Sequence, residues 1–152
     1  PAPQAVKPVT PPPIPKEPPK AMSAFPLSPT ATGAAPKATP APVTAAGTFP
    51  DRVVAAASFH GGRLATEAPD SPHLLASKIK ARVYVAGAIE DASFPDDMKA
   101  RLDEALTAGG VDHTIETYPA KHGWVFHDIP VYDRAASERH WQAMLTLFAS
   151  TL

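Results

Sequence analysis

The sequence predicts an α/β fold in which parallel strands alternate with helices, preceded by a disordered proline-rich segment. Two short apolar runs, at residues 53–59 and 82–86, are each followed closely by glycine, as is typical of strands covered on both faces of a parallel sheet. Two other segments repeat apolar residues at helical spacing. Residues 1–50 hold 15 of the 20 prolines, and proline interrupts both helices and β ladders.

Residues 1–44 are predicted to be disordered or to adopt polyproline II. Their aromatic content is limited to Phe25 and large aliphatic residues are sparse, so little apolar burial offsets the entropy of ordering. This segment carries four lysines and one glutamate, whereas residues 45–152 carry fourteen acidic residues and ten Lys or Arg. We therefore predict a disordered segment at 1–44 and a folded domain at 45–152.

The first half of the folded domain contains two predicted strands. They cover residues 53–59 and 82–86, and Gly61 and Gly87 follow them. The connection between them is mostly loop, with a short helix predicted around residues 74–77. Because strands alternate with helices along the whole domain, parallel pairing through right-handed crossovers is favoured.

Two helices and a third strand complete the pattern. Pro95 begins a helix with two aspartates in its first turn, where carboxylates favour the positive end of the helix dipole, and Gly109 ends it. Residues 112–118 alternate as a strand does. A last helix is predicted over residues 133–150. Its apolar stripe is expected to comprise Trp141, Met144, Leu145 and Phe148.

Functional groups of an open parallel sheet collect at the carboxyl ends of its strands. Three segments meet that condition, at residues 60–62, 87–93 and 120–126. The second contains Asp91 and the third contains His122, in the acid-then-histidine order of a hydrolytic triad. In such a triad the histidine takes the proton of the nucleophile, and the acid fixes the histidine tautomer.

These residues also have simpler interpretations. An aspartate shortly before a helix is often a capping group, Glu90 competes with Asp91 as the acid, and a histidine before glycine is often a surface residue. His60 either lines a pocket or ends a strand. There is no cysteine, and the histidines lack the spacing of a metal site. They are His60, His73, His113, His122, His127 and His140.

Four stretches are informative when taken together. They are Ala45-Ala46-Gly47-Thr48-Phe49-Pro50-Asp51-Arg52-Val53, Phe59-His60-Gly61-Gly62, Gly87-Ala88-Ile89-Glu90-Asp91 and Tyr118-Pro119-Ala120-Lys121-His122-Gly123-Trp124. In their residues and in their order along the chain, they resemble the dienelactone hydrolase (carboxymethylenebutenolidase) family of the α/β-hydrolase superfamily. The resemblance extends from residue 45 to the last residue.

The resemblance implies a fold, a site and an activity. Residues 45–152 would be the C-terminal part of a doubly wound α/β-hydrolase sheet, with three parallel strands and flanking helices. Asp91 would be the triad acid and His122 the general base, and we expect His60, Gly61 and Trp124 to line the substrate pocket. The implied activity is hydrolysis of small-molecule carboxylic esters or lactones such as dienelactone, with no cofactor and no metal.

The nucleophile of that family is not found. By the resemblance it would lie in a Gly-x-Cys-x-Gly-Gly elbow, and counting back without gaps puts its position near Pro36. The sequence contains neither a cysteine nor a Gly-x-Ser-x-Gly motif, and loss of the nucleophile removes the covalent route. We therefore predict little or no intrinsic esterase activity. Residues 1–44 would then reflect a truncated or frameshifted reading, or a true proline-rich fusion.

The non-enzymatic alternative is an interaction module in which Pro12-Pro13-Ile14-Pro15-Lys16 serves as a polyproline ligand. The first strand would have an open apolar edge, so self-association is expected there. No basic stripe and no apolar run of roughly 18 residues occurs, so neither nucleic acid nor a membrane is an expected partner. We expect a cytoplasmic protein.

Overall fold

A central sheet of three strands organises residues 42–152, the part of the chain that the computed structural model describes. The strands are β1 (Ala55–Phe59), β2 (Arg82–Gly87) and β3 (His113–Thr117). They lie in the order β1-β2-β3, and both pairings are parallel. The middle strand is buried at five of its six positions, as its continuous apolar run predicts. The predicted α/β fold with three parallel strands is confirmed.

Helices connect and flank these strands. They are α1 (Pro42–Thr48), a 3₁₀ helix (Pro72–Lys78), α2 (Asp96–Ala108) and α3 (Arg134–Thr151). Pro95 and Gly109 flank α2 at its two ends, as predicted. β1 begins two residues later than predicted, because the Val53 N–H donates to the Phe49 carbonyl in a turn. Each helix within residues 42–152 is too short or too polar to span a bilayer.

Helix α1 begins at Pro42, three residues before the predicted domain boundary at residue 45. Val43 is fully buried in the core on one face of the sheet, so the packed part of the chain begins no later than Val43. The helix lies close to the 3₁₀ helix, since a Cβ on Gly47 would meet the Cβ of Leu75 at 2.5 Å. The region around Pro36 and the polyproline stretch at residues 12–16 lie outside the described residues.

Two hydrophobic clusters cover the two faces of the sheet. Side chains alternate between the faces of a strand, so Val83 and Val85 face one cluster while Tyr84 and Ala86 face the other. The first cluster contains residues of α1, the 3₁₀ helix and α2, and the second contains residues of α3. The domain therefore has three layers, with the sheet between two layers of helix.

The apolar stripe predicted for α3 has the wrong phase. Trp141 and Leu145 are 52 % and 57 % exposed, Phe148 packs at the margin, and Met144 is only partly buried. The face that packs on the sheet is built mainly from smaller side chains, together with the imidazole of His140. The sheet already presents large aromatic groups to this helix, so close packing selects small residues opposite them. The packing face contains Ala136, Ser137, His140, Ala143 and Leu147.

Candidate active site

The loops that follow β2 and β3 lie side by side at the carboxyl edge of the sheet. Hydrogen bonding between these two segments continues beyond the ends of β2 and β3, because the Tyr118 N–H donates to the Gly87 carbonyl at 2.8 Å. Ile89 N–H likewise donates to the Ala120 carbonyl at 3.0 Å. The first loop carries Asp91 and the second carries His122. Two residues that are 31 positions apart in sequence are thereby brought together.

Asp91 and His122 form a hydrogen-bonded pair. His122 Nδ1 lies 2.9 Å from Asp91 Oδ2, and the side chain of Asp91 is 4 % exposed while that of His122 is 49 % exposed. Because a carboxylate only accepts hydrogen bonds, Nδ1 carries the proton and Nε2 is left as the basic nitrogen. A buried acid thus lies behind a base that reaches solvent, which is the arrangement that general-base catalysis requires.

The carboxylate of Asp91 is held in its ionised form. Burial by itself would raise its pKa, but hydrogen bonds from Ser93 and His122 outweigh burial and lower the pKa below its usual value of 3.8. The Ser93 hydroxyl donates to Oδ1 at 2.6 Å and the Ser93 N–H donates to the same oxygen at 2.9 Å. Hydrogen bonds to the charged form of an acid favour that form. Asp91 therefore stays negative beneath the imidazole.

Glu90, the alternative acid in the sequence, does not take this position. Its side chain is exposed and its backbone φ is +53°, an uncommon conformation for a residue with a side chain. Within residues 42–152 it is Asp91, the next residue, whose carboxylate contacts His122. The left-handed turn at Glu90 lies immediately before the buried acid.

His60 lies beside the pair, at the end of β1. Its ring centroid is 4.9 Å from that of His122, and the edge of Trp124 meets it at 5.0 Å. Burial first, and then the neighbouring His122, lower the pKa of His60. His60 thus presents a largely neutral, partly buried ring next to the candidate base.

The other two residues predicted to line a pocket have different surroundings. Gly61 packs against Ser58, because a Cβ there would meet the Ser58 hydroxyl oxygen at 2.3 Å. Trp124 is fully buried and stacks on Tyr118 with ring centroids 5.0 Å apart. Its indole Nε1 has no hydrogen-bond partner among the described residues. Trp124 therefore contacts His60, and His60 in turn contacts His122.

Apolar side chains lie near the pair in the sequence. Phe126 and Ile129 follow His122 on the same loop, Ile89 precedes Asp91, and all three are partly exposed. Gly123 has a φ of +95°, and its Cβ position would be 3.2 Å from Ile129 and 3.6 Å from Phe126. The turn at Gly123 thus lets these two side chains approach the backbone next to His122.

Among the described residues, neither a metal-binding cluster nor the cavity beside α1 identifies this site. Within residues 42–152, no group of three or more His, Cys, Asp or Glu side chains is placed to hold a metal ion. A cavity of about 570 Å³ lies between α1 and the 3₁₀ helix, lined by Gly47 and Leu75 among others. The Asp91–His122 pair lies instead at the carboxyl end of the sheet, where the imidazole is half-exposed and the carboxylate is buried, and its hydrogen-bonded geometry identifies it.

Ser93 is the residue of this site that the sequence interpretation missed. Its hydroxyl contacts Asp91 and lies 3.5 Å from His122 Nδ1. A serine two residues after an aspartate is a frequent turn partner of that carboxylate. This local pattern could have indicated the contact with Asp91, although not the one with His122.

Comparison with known proteins gives one consistent result. A family model described as "Dienelactone hydrolase family" matches residues 40–152. A protein of Synechocystis sp. named "Putative carboxymethylenebutenolidase" is 33 % identical over 104 residues, which are 66 % of this chain and 42 % of that protein.

Solved structures are similar over the same region. A Klebsiella pneumoniae protein named "Putative Dienelactone Hydrolase" has a TM-score of 0.60 at 24 % identity, over 70 % of this chain and 48 % of its own. The "Dienelactone Hydrolase-like Promiscuous" phosphotriesterase P91, from metagenomic libraries, has a TM-score of 0.57 at 28 % identity, over 70 % and 45 %. The chain thus spans less than half the length of these relatives.

Proposed function

Because the chain belongs to the dienelactone hydrolase family, we propose that residues 42–152 supply the general base and the orienting acid of a carboxylic-ester or lactone hydrolase. One observation carries the proposal: the buried carboxylate of Asp91 accepts a hydrogen bond of 2.9 Å from the half-exposed imidazole of His122. In this proposal Asp91 is the triad acid and His122 the base.

The two residues would divide the proton chemistry between them. His122 Nε2 takes the proton of the attacking nucleophile as the tetrahedral intermediate forms, and returns it to the departing alkoxide. Asp91 stays ionised throughout and stabilises the imidazolium that exists between the two transfers. A positioned base of this kind contributes about 10²–10⁴-fold to the rate.

The nucleophile and the oxyanion donors are not assigned to these residues. The 152 residues contain no cysteine and no Gly-x-Ser-x-Gly motif. We propose accordingly that they hydrolyse esters slowly or not at all on their own. The pair is the acid and base part of the site, and it acts on a nucleophile presented to Nε2.

The border of the site favours an apolar substituent on the substrate. Phe126 and Ile129 offer exposed apolar surface beside Gly123, the residue after His122, and burial of such surface against a ligand is favourable by about 25 cal/mol per Å². We propose that the acyl or alkyl part of a small ester or lactone lies against these side chains, near His60, whose ring centroid is 5.7 Å from that of Phe126.

A chimera tests the proposal. The N-terminal part of the Synechocystis relative, which by the family resemblance carries the nucleophile elbow, is fused ahead of Pro42, and hydrolysis of p-nitrophenyl acetate is followed. We expect turnover, and we expect His122→Ala and Asp91→Asn each to lower kcat/KM by at least about 10²-fold. His127→Ala, which removes an exposed imidazole from the same loop, is the matched control and should leave the rate unchanged.

Two results would overturn the proposal. An active chimera that is indifferent to His122→Ala and Asp91→Asn would remove the pair from the chemistry. Turnover by the unfused 152-residue chain that is abolished by His122→Ala would show that these residues contain their own nucleophile. The first result rejects the roles of the pair, and the second rejects the division between base and nucleophile.

A further inference from the structure

Ser93 connects three loops of the candidate site. It lies between β2 and α2, and its hydroxyl donates to Asp91 Oδ1 at 2.6 Å. Its carbonyl accepts a hydrogen bond of 2.8 Å from the N–H of Arg63, in the loop after β1. Its hydroxyl oxygen is also 3.5 Å from His122 Nδ1, in the loop after β3. None of the family-derived roles above assigns a function to this residue.

The two oxygens of Asp91 have different partners. Oδ1 accepts both the hydroxyl and the N–H of Ser93, while Oδ2 accepts from His122. A carboxylate with one partner could rotate and exchange its oxygens, but two donors on Oδ1 define which oxygen remains for the imidazole. We propose that Ser93 is a positioning residue that fixes Asp91 Oδ2 toward His122 and thereby holds His122 in the Nδ1–H tautomer.

The hydroxyl of Ser93 is unsuited to act as the missing nucleophile. Its proton is directed to Asp91 Oδ1, and the histidine nitrogen nearest to it is Nδ1, which already donates to Asp91. A nucleophile needs the basic nitrogen of the histidine within reach. Ser93 therefore acts through Asp91 and not on the substrate.

The neighbouring glycine supports this role. A Cβ added to Gly62 would lie 2.9 Å from both Cβ and Oγ of Ser93, and 3.3 Å from its carbonyl oxygen. Contacts this short force a displacement. The second glycine of His60-Gly61-Gly62 thus leaves the space in which Ser93 can reach Asp91.

Several titratable groups face this arrangement. His122 contacts Asp91 directly and His60, after β1, is close enough to influence the charge of the pair. On α2, Lys99 contacts the carbonyl of Ala88 in the same loop as Asp91. Ser93→Ala keeps His122, His60 and Lys99 in the chain, so a change in the titration of Asp91 would report the loss of the hydroxyl.

Nuclear magnetic resonance on the full 152-residue chain tests the proposal. The carboxyl ¹³C shift of Asp91 is followed against pH, and the ring ¹⁵N shifts of His122 report its tautomer. In Ser93→Ala we expect the titration midpoint of Asp91 to rise, because one hydrogen bond to the ionised form is lost. We expect the His122 shifts to move from a single tautomer toward a mixture. Ser93→Thr, which keeps the hydroxyl, should restore both.

Two further variants separate a local effect from a general one. Ser71→Ala removes another serine hydroxyl that contacts a histidine, His73 Nδ1 at 2.9 Å, and should leave Asp91 and His122 unchanged. Gly62→Ala should reproduce the effects of Ser93→Ala without removing the hydroxyl. Unchanged titration and tautomer in Ser93→Ala, an equal effect of Ser71→Ala, or a failure of Ser93→Thr to restore the wild-type signals would each overturn the proposal.

This inference rests on the proposed pairing of Asp91 with His122, but its readouts need no hydrolysis. If the chimera is active but indifferent to His122→Ala and Asp91→Asn while Ser93→Ala shifts both signals, the catalytic proposal fails and the positioning role stands. If the chimera is active and both signals are insensitive to Ser93→Ala, the positioning role alone fails.

Discussion

At the scale of single residues, the two tyrosine hydroxyls beneath α3 form a second buried polar contact. Tyr84 lies on β2 and Tyr118 directly follows β3, and their hydroxyl oxygens are 3.0 Å apart. Burial first, and then the neighbouring hydroxyl of Tyr118, raise the pKa of Tyr84 well above its usual value of 10.0. The guanidinium of Arg139 lies 4.4 Å from the ring centre of Tyr118. The pair is thus neutral and enclosed in the folded protein.

Because of this pair, we expect the folded protein to lose stability at high pH. The folded-state pKa of Tyr84 is raised, so its contribution is fully present below the unfolded pKa of about 10 and is lost as the pH rises beyond that value. The free energy of unfolding, measured in urea, should therefore fall above that pH, and Tyr84→Phe should make the fall shallower. At neutral pH the same variant should be less stable by about 1–3 kcal/mol, because the Tyr118 hydroxyl loses its partner.

The double variant Tyr84→Phe/Tyr118→Phe provides the control. It leaves no hydroxyl unpaired, so its loss at neutral pH should be smaller than the sum of the two single losses. Strictly additive losses, or a pH dependence unchanged by Tyr84→Phe, would contradict the buried pair.

At the scale of elements, what the sequence predicts depends on how local the signal is. The strands β1 and β2 were predictable because an apolar run ending near glycine is a property of five to seven consecutive residues, and β2 begins at the predicted residue. The capping residues of α2 are equally local. The adjacency of Asp91 and His122 was predictable too, because consecutive parallel strands bring their carboxyl ends to one edge.

Contacts between distant segments were not predictable in the same way. The face of α3 that packs depends on the aromatic groups the sheet presents, and no feature of α3 itself reveals them. Ser93 and His122 are 29 residues apart, and Tyr84 and Tyr118 are 34 residues apart. Hydroxyl groups at such separations carry no periodic pattern, so their pairing becomes evident only in the folded chain.

A pair of leucines tests the phase of α3. Leu147 is 6 % exposed and belongs to the cluster between α3 and the sheet, whereas Leu145 is largely exposed. Leu147→Ala should cost about 2–5 kcal/mol of unfolding free energy, because it leaves a cavity in a packed layer. Leu145→Ala, on the same helix and with the same change, should stay within about 0.5 kcal/mol of wild type. Urea unfolding followed by circular dichroism measures both. A larger loss of stability in Leu145→Ala than in Leu147→Ala would instead support the packing face of α3 that was predicted from the sequence.

At the scale of the whole molecule, the two helical layers cover the faces of the sheet, whereas within residues 42–152 the edge strands β1 and β3 each pair with β2 alone. The composition of β1 is Ala-Ala-Ala-Ser-Phe, and Val54 just before it is exposed. An edge strand with few charges and unpaired backbone groups tends to pair with another chain.

This edge predicts self-association of the 152-residue chain. We expect the weight-average mass in sedimentation velocity to rise with protein concentration, because β1 of one copy can pair with β1 of another. Val54→Lys places a charge next to the edge, where lysine commonly opposes such pairing, and should reduce the association. Leu74→Lys makes a comparable change at an exposed leucine of the 3₁₀ helix, away from the edge, and should leave it unchanged. A chain that stays monomeric at every concentration would contradict the predicted self-association. An equal effect of Val54→Lys and Leu74→Lys would show that the copies do not associate through β1.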